Sequence, residues 1–253
     1  MSTIAERRAA FRALHKSGCF VLPNPWDGGT AVRLAKLGFQ ALASTSAGAA
    51  WALGKADGQM SLDDVLEHLR FLVQVTDLPI NADFEAGFAD SAEGVTENVR
   101  RCVETGVAGL SIEDRVGKAF YDIPEAQARV RAARQAIDAS GQDVMLIGRC
   151  EAYLMDQIDM DEVIKRLKAY AEAGAEVLYA PGLKTLDQIA RVAREVAFPV
   201  NANLTKTGLS VEQLAGVGVR RVSVGGALAR ATYDAFDGFA KDLAEAGRLP
   251  AGA

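Results

Sequence analysis

The chain has 253 residues, of which 49% are apolar and 24% charged, with a formal net charge of −5. That profile belongs to an ordinary globular protein, at a length where an α/β barrel forms one domain (residues 1–253). It has no Lys/Arg-rich block to suit nucleic acid and no apolar run of the roughly 18 residues a membrane span needs, so neither is an expected partner.

The first segment, "MSTIAERRAAFRALHKSG", places Ile4, Phe11 and Leu14 at helical spacing and has no signal-peptide h-region, which makes the cytoplasm the expected location. Short β-branched or apolar runs then alternate with amphipathic segments. The expected strands are "GCFVLPNP", "QALASTS", "LPINADFE", "AGLSIED", "DVMLIGRCE", "EVLYAPG", "FPVNANLT" and "RRVSVGG". Helical patterns such as "GVTENVRRCVETG", "AQARVRAARQAIDASG" and "DEVIKRLKAYAEAG" lie between them, and Gly106, Gly141 and Gly174 close three of these. Strict alternation of this kind predicts a (β/α)8 TIM-type barrel. A doubly wound sheet is the alternative, weakened because no Gly-x-Gly-x-x-Gly follows the first strand. The tail, "TYDAFDGFAKDLAEAGRLPAGA", reads as an extra C-terminal helix over about 231–250, with Phe236, Phe239 and Leu243 at helical spacing. The usual reading packs it on its own barrel; exchange with a neighbouring subunit is the alternative. Three scattered cysteines and two histidines off the strand ends offer no disulfide framework, metal cage or Ser/His triad.

Barrel active sites lie at the C-terminal strand ends. The polar residues there are Asn24 and Asp27, Thr45 and Ser46, Asp83 and Glu85, Glu113, Arg149 and Glu151, then Asn201, Asn203 and Thr205. Strand side chains alternate faces, so Asn81, Asp83 and Glu85 share one phase, as do Arg149 and Glu151. Asp90 and Asp114 read as solvated loop starts or N-caps, and Asp57 alone as a turn residue before Gly58. Collectively, three acids on the third and fourth strands, all hard oxygen donors, fit Mg²⁺ or Mn²⁺. An Arg opposite them suits a carboxylate or phosphate ligand.

Those residues carry a resemblance. "NPWDGGTAVRLAKLGFQALASTSAG", "ADFEAGF", "GLSIED", "IGRCEA", "AYAEAGAEVLYAPG" and "VNANLT" fall in the order and spacing of the phosphoenolpyruvate mutase/isocitrate lyase superfamily, from about Phe20 to Arg230. The resemblance implies a (β/α)8 barrel, commonly a tetramer with the last helix exchanged. It implies Asp83 as the direct Mg²⁺ ligand, and Glu85 in place of the motif's second Asp. Glu113 and Asp57 would hold metal-bound waters, and with Arg149 they are the candidate catalytic residues. Thr45, Ser46 and Ala47 match the segment that grips the substrate's carboxylate and oxo oxygen. Arg149 would bind the substrate's carboxylate or phosphoryl end, and Asn203, Thr205 and Arg230 the far carboxylate.

Two departures shape the functional expectation. The lyases carry Lys-[KR]-Cys-Gly-His in the loop after the fourth strand. Here "EDRVGKAFYDIPEAQARV" is shorter and has neither Cys nor His, nor the Asn that the mutases place there. The lyases' Glu after the sixth strand is replaced by Pro181. Lys118 and Tyr121 are the loop residues nominated as substitutes. The expected activity is Mg²⁺-dependent C–C cleavage, by a lyase or decarboxylase, of a small 2-oxo or 2-hydroxy dicarboxylate through an enolate. The alternatives are P–C chemistry on phosphonopyruvate-like substrates, or a 2-oxo-acid-binding protein with little turnover.

Overall fold

The computed structural model describes residues 2–155, 158–205 and 208–249. Its main sheet has eight parallel strands: β1 Phe20–Leu22, β2 Leu42–Ala43, β3 Ile80–Asp83, β4 Gly109–Glu113, β5 Met145–Arg149, β6 Val177–Tyr179, β7 Val200–Asn203 and β8 Arg221–Ser223. Each lies within one of the eight apolar runs above. They pair in chain order from β2 to β8 and then back to β1. Across the remaining gap the Ala43 amide donates to the Pro23 carbonyl at 3.1 Å. The sheet is therefore a nearly closed barrel, as the alternation of elements predicts.

Period-two alternation sorts the strand residues into two cores. Phe20, Leu22, Ala43, Ile147 and Val177 fill the barrel, while Leu110, Leu146, Leu178 and Val222 face the helical shell. That shell is α2 Gly28–Lys36, α4 Leu62–Val75, α5 Ala92–Glu104, α6 Ile123–Ala139, α7 Met160–Glu172, α8 Leu186–Val196 and α9 Val211–Gly216. Gly106, Gly141 and Gly174 follow α5, α6 and α7 at positive φ, as expected of C′ residues.

Helix α1, Ile4–Leu14, closes the N-terminal mouth of the barrel. Its Phe11 is fully buried in the barrel core. Gly109 makes that insertion possible, because a Cβ there would lie 2.7 Å from the Phe11 ring. Arg7 donates to the Val73 and Thr76 carbonyls at 2.7 and 2.8 Å, and Arg8 to those of Val103 and Val107 at 2.9 and 3.0 Å. Val73 and Val103 belong to the last turns of α4 and α5, whose carbonyls lack intrahelical donors.

Three features differ from the sequence reading. A short helix, α3 Ser46–Ala52, follows β2, started by Thr45, whose hydroxyl caps the Gly48 amide at 3.3 Å. After β4 the chain makes a small hairpin, Arg115–Val116 paired with Ala119–Phe120. The last helix, α10 Ala227–Ala246, does not pack along its own barrel: Phe236 is 66% exposed, Phe239 43% and Leu243 52%. Its first turns touch the body through Tyr233, whose ring centroid is 6.4 Å from those of Trp26 and Trp51.

His68 on α4 has its Nε2 sealed from water without a partner. Burial, opposed by Asp27, lowers its pKa from 6.5 to about 4. The folded state thus binds fewer protons than the unfolded one below pH 6.5. Stability from this group is complete above that pH and is lost as pH falls toward 4. The loss expected by pH 4.5 is of the order of 2 kcal/mol. Urea midpoints measured from pH 7.5 to 4.5 should fall less steeply for H68Q than for wild type; parallel curves would refute the assignment.

Candidate active site

The C-terminal strand ends open into a cleft of about 610 Å³. Thr45, Ser46, Ala47, Asp57, Asp83, Arg149, Pro181, Asn203, Thr205 and Arg230 all line it. The fold thus brings these predicted residues together, whereas Glu85 and Glu113, the other two metal candidates, do not line the cleft.

Arg149, at the end of β5, is the hub. Its Nη1 lies 2.9 Å from Asp83 Oδ1, and its Nε lies 2.6 Å from Glu151 Oε1 and 3.4 Å from Glu113 Oε2. The pairing of Arg149 with Glu151 follows from their shared phase. Burial opposes the charge on Arg149, but Glu151, Glu113 and Asp83 outweigh it and hold the guanidinium protonated. Asp83 is gripped from its other side, where Ser46 donates to Oδ2 from its amide and its hydroxyl, both at 2.9 Å. The Asp83 amide donates to Ser44 Oγ at 2.8 Å.

Glu85 departs from the strand phase. β3 ends at Asp83, and Glu85 takes the left-handed conformation at φ 44°, so that its carbonyl accepts from the Glu113 amide at 3.0 Å. Its Oε1 is buried without a partner. Burial, together with the charges of Asp83 and Asp57, pushes its carboxyl up to about 7. Burial also raises the Glu113 carboxyl well above its ordinary value; Arg149 opposes this and Glu151, Asp83 and Glu85 add to it. Asp57 is exposed at the rim.

Asp114 is the clearest correction: it is neither solvated nor an N-cap, but 1% exposed. Two residues on α7 fix it, Tyr170 donating a hydrogen bond at 2.6 Å and Arg166 supplying the opposite charge at 3.2 Å. Its other oxygen accepts from the Glu151 amide at 2.7 Å, so α7 sets the backbone next to Arg149. Spacing within the strand carries no sign of this, because both partners come from a distant helix. Of the two loop nominees, Tyr121 is a packing contact, with the Arg129 guanidinium 4.3 Å from its ring centroid, and Lys118 is exposed on the hairpin; neither lines the cleft.

The remaining rim residues fall where the strand ends suggest. Asn203 Nδ2 donates to Tyr179 Oη at 3.1 Å, and its Oδ1 accepts from the Thr205 amide at 2.7 Å. Arg230 lies over the Trp51 ring, 5.0 Å from its centroid. Tyr179, whose ring faces Arg149 at 5.3 Å, and Arg221 on the cleft floor were not singled out from the sequence. Strand phase would have found Arg221, since it and Ser223 point inward while Val222 points out.

Comparison with known proteins gives this arrangement a family. Residues 11–244 match the family described as phosphoenolpyruvate phosphomutase. The chain belongs to the phosphoenolpyruvate mutase/isocitrate lyase superfamily. It is 34% identical to the 2-methylisocitrate lyase of Escherichia coli K12, over 82% of this chain and 73% of that one. Identity to the oxaloacetate decarboxylase of Pseudomonas entomophila L48 is 30%, over 90% and 83%. A Burkholderia cenocepacia J2315 protein, described provisionally as a lyase/mutase, superposes with a TM-score of 0.94 at 45% identity, covering 97% of this chain and 91% of that one. Superfamily relatives therefore include enzymes named for cleaving small di- and tricarboxylates.

The donor chemistry suits a hard divalent cation. Asp83, Glu113 and Glu151 contact one guanidinium, and Glu85 beside them presents an unpartnered buried oxygen. Carboxyl groups outnumber the cation, and all of their donor atoms are oxygen. Among the described residues, however, no three His, Cys, Asp or Glu side chains are already grouped as a metal cage.

R149M should lower stability by about 3–5 kcal/mol, because it strands three buried or half-buried carboxylates. Denaturant unfolding at pH 7.5 measures this; a loss under about 1 kcal/mol would mean that the acids are solvated.

Proposed function

We propose that the protein is a Mg²⁺-dependent enzyme that breaks a C–C bond of a small 2-oxo dicarboxylate, by decarboxylation in preference to retro-Claisen cleavage. The observation that carries this reading is the surplus of acids around Arg149 at the barrel mouth, set in a cleft without a loop cysteine or histidine. Asp83, Glu85, Glu113 and Asp57 would hold the cation directly or through water. When bound, Mg²⁺ supplies Lewis-acid stabilisation of developing negative charge.

The chain's own groups do the rest. Ser46 and Arg149 hold the Asp83 carboxylate in place through hydrogen bonds to both of its oxygens. Thr45, Ser46 and Ala47 line the same cleft at the start of α3 and suit a carboxylate or oxo oxygen. Asn203, Thr205 and Arg230 line its outer part and suit the far carboxylate. In the step itself the bond to the departing carboxylate breaks heterolytically. CO₂ leaves, the electron pair passes to the 2-oxo group as an enolate, and a proton from water gives the shorter 2-oxo acid. No base is needed to remove a hydroxyl proton, which fits the shortened hairpin and Pro181.

The test is a Mg²⁺-dependent screen of oxaloacetate, 2-methylisocitrate, isocitrate, 2,3-dimethylmalate and phosphonopyruvate. Oxaloacetate is expected to yield pyruvate, and D83A to lower the rate at least about 100-fold. Phosphate released from phosphonopyruvate would favour P–C chemistry. Stabilisation by oxaloacetate plus Mg²⁺, with no turnover above D83A, would favour a binding protein.

We also propose that α10 is exchanged between subunits of a homotetramer, with Phe236, Phe239 and Leu243 covered by a second copy. Their exposure in the single chain supports this. Light scattering should report a tetramer for wild type and a smaller species for the F236D/F239D double variant. A wild-type monomer would rule the exchange out.

A further inference from the structure

Below the layer of acids, the cleft reaches Arg221, which is 3% exposed. Its Nε donates to Asn201 Oδ1 at 2.9 Å, and its Nη1 reaches across the barrel to Asn81 Oδ1 at 3.2 Å. Both acceptors are neutral amides. Among the described residues Arg221 forms no salt bridge. Its titratable neighbours supply no negative charge either. Burial holds the Tyr179 phenol protonated, and burial together with Arg221 itself holds His15 neutral. Burial lowers the Arg221 pKa to about 9, as it would for a cation lacking its counter-ion.

An isolated buried charge is costly enough that it normally finds a partner. Two hydroxyls that line the same cleft are prepared for one of opposite sign. Ser223 Oγ accepts from Asn201 Nδ2 at 3.0 Å, and Ser44 Oγ accepts from the Asp83 amide. Each hydroxyl keeps its own proton for a further acceptor. Both residues line the cleft, at 6% and 3% exposure. We propose that the cleft floor binds one small monoanion, a halide or a carboxylate group, with Arg221 as its counter-ion and the Ser44 and Ser223 hydroxyls as neutral donors. This holds whichever reaction the cleft performs.

The test begins with wild-type protein in sodium HEPES, whose bulky anion carries no carboxylate, titrated with sodium chloride at constant ionic strength. A saturable rise in Tm is expected. R221M should remain folded without chloride and lose that rise, because it exchanges an unpaired buried cation for an apolar chain. Wild-type crystals soaked in bromide should show an anomalous scattering peak within hydrogen-bonding distance of Arg221, an arm that does not depend on the variant folding. Formate and oxaloacetate then separate the two sources. Displacement of bromide assigns the well to a ligand carboxylate; retention assigns it to a resident inorganic ion. Absence of the peak, or an equal chloride response in R221M, overturns the proposal. A peak without a saturable response in solution means an adventitious ion only, and overturns it as well.

Discussion

The contact on which the barrel mouth depends is the one between Arg149 and the acids around it. Asp83, Glu113 and Glu151 come from the ends of three adjacent strands, and each would be costly to bury alone. One guanidinium serves all three through a planar set of donors that an ammonium could not reproduce. The arrangement reaches outward as well. Tyr170 and Arg166 clamp Asp114, Asp114 holds the Glu151 amide, and Glu151 holds Arg149. A helix of the outer shell thus sets the geometry of groups it never touches.

Much of this was legible in the sequence because barrels write their order into hydrophobic periodicity. Eight apolar runs gave eight strands, and the phase of Arg149 with Glu151 put both in one pocket. What escaped was set by partners far along the chain. Asp114 looks like a loop residue until Arg166 and Tyr170 are brought to it. Glu85 looks like a continuation of the Asp83 phase until the backbone turns to pair with the Glu113 amide. Helix α3 begins among small residues that also suit a loop, and a single side-chain cap decides the matter. The α10 stripe had the right spacing for a packed helix, but spacing says nothing about whose surface covers it.

The two polar layers of the cleft differ in sign. The upper has acids in excess of one Arg; the lower has one Arg among neutral amides and hydroxyls. A dipolar pocket of this kind orients any ligand that carries charge at one end and a carbonyl at the other, before any group on the rim closes over it.

The N-terminal plug has a bearing on how the chain is built. Arg7 needs the carbonyl of Val73, Arg8 that of Val103, and Arg12 the carboxylate of Glu176. The most distant of these partners lies 164 residues along the chain. Loop closure over such separations is slow. All of these contacts are satisfied together only when the barrel is assembled at least as far as β6, so complete docking of α1 follows that assembly.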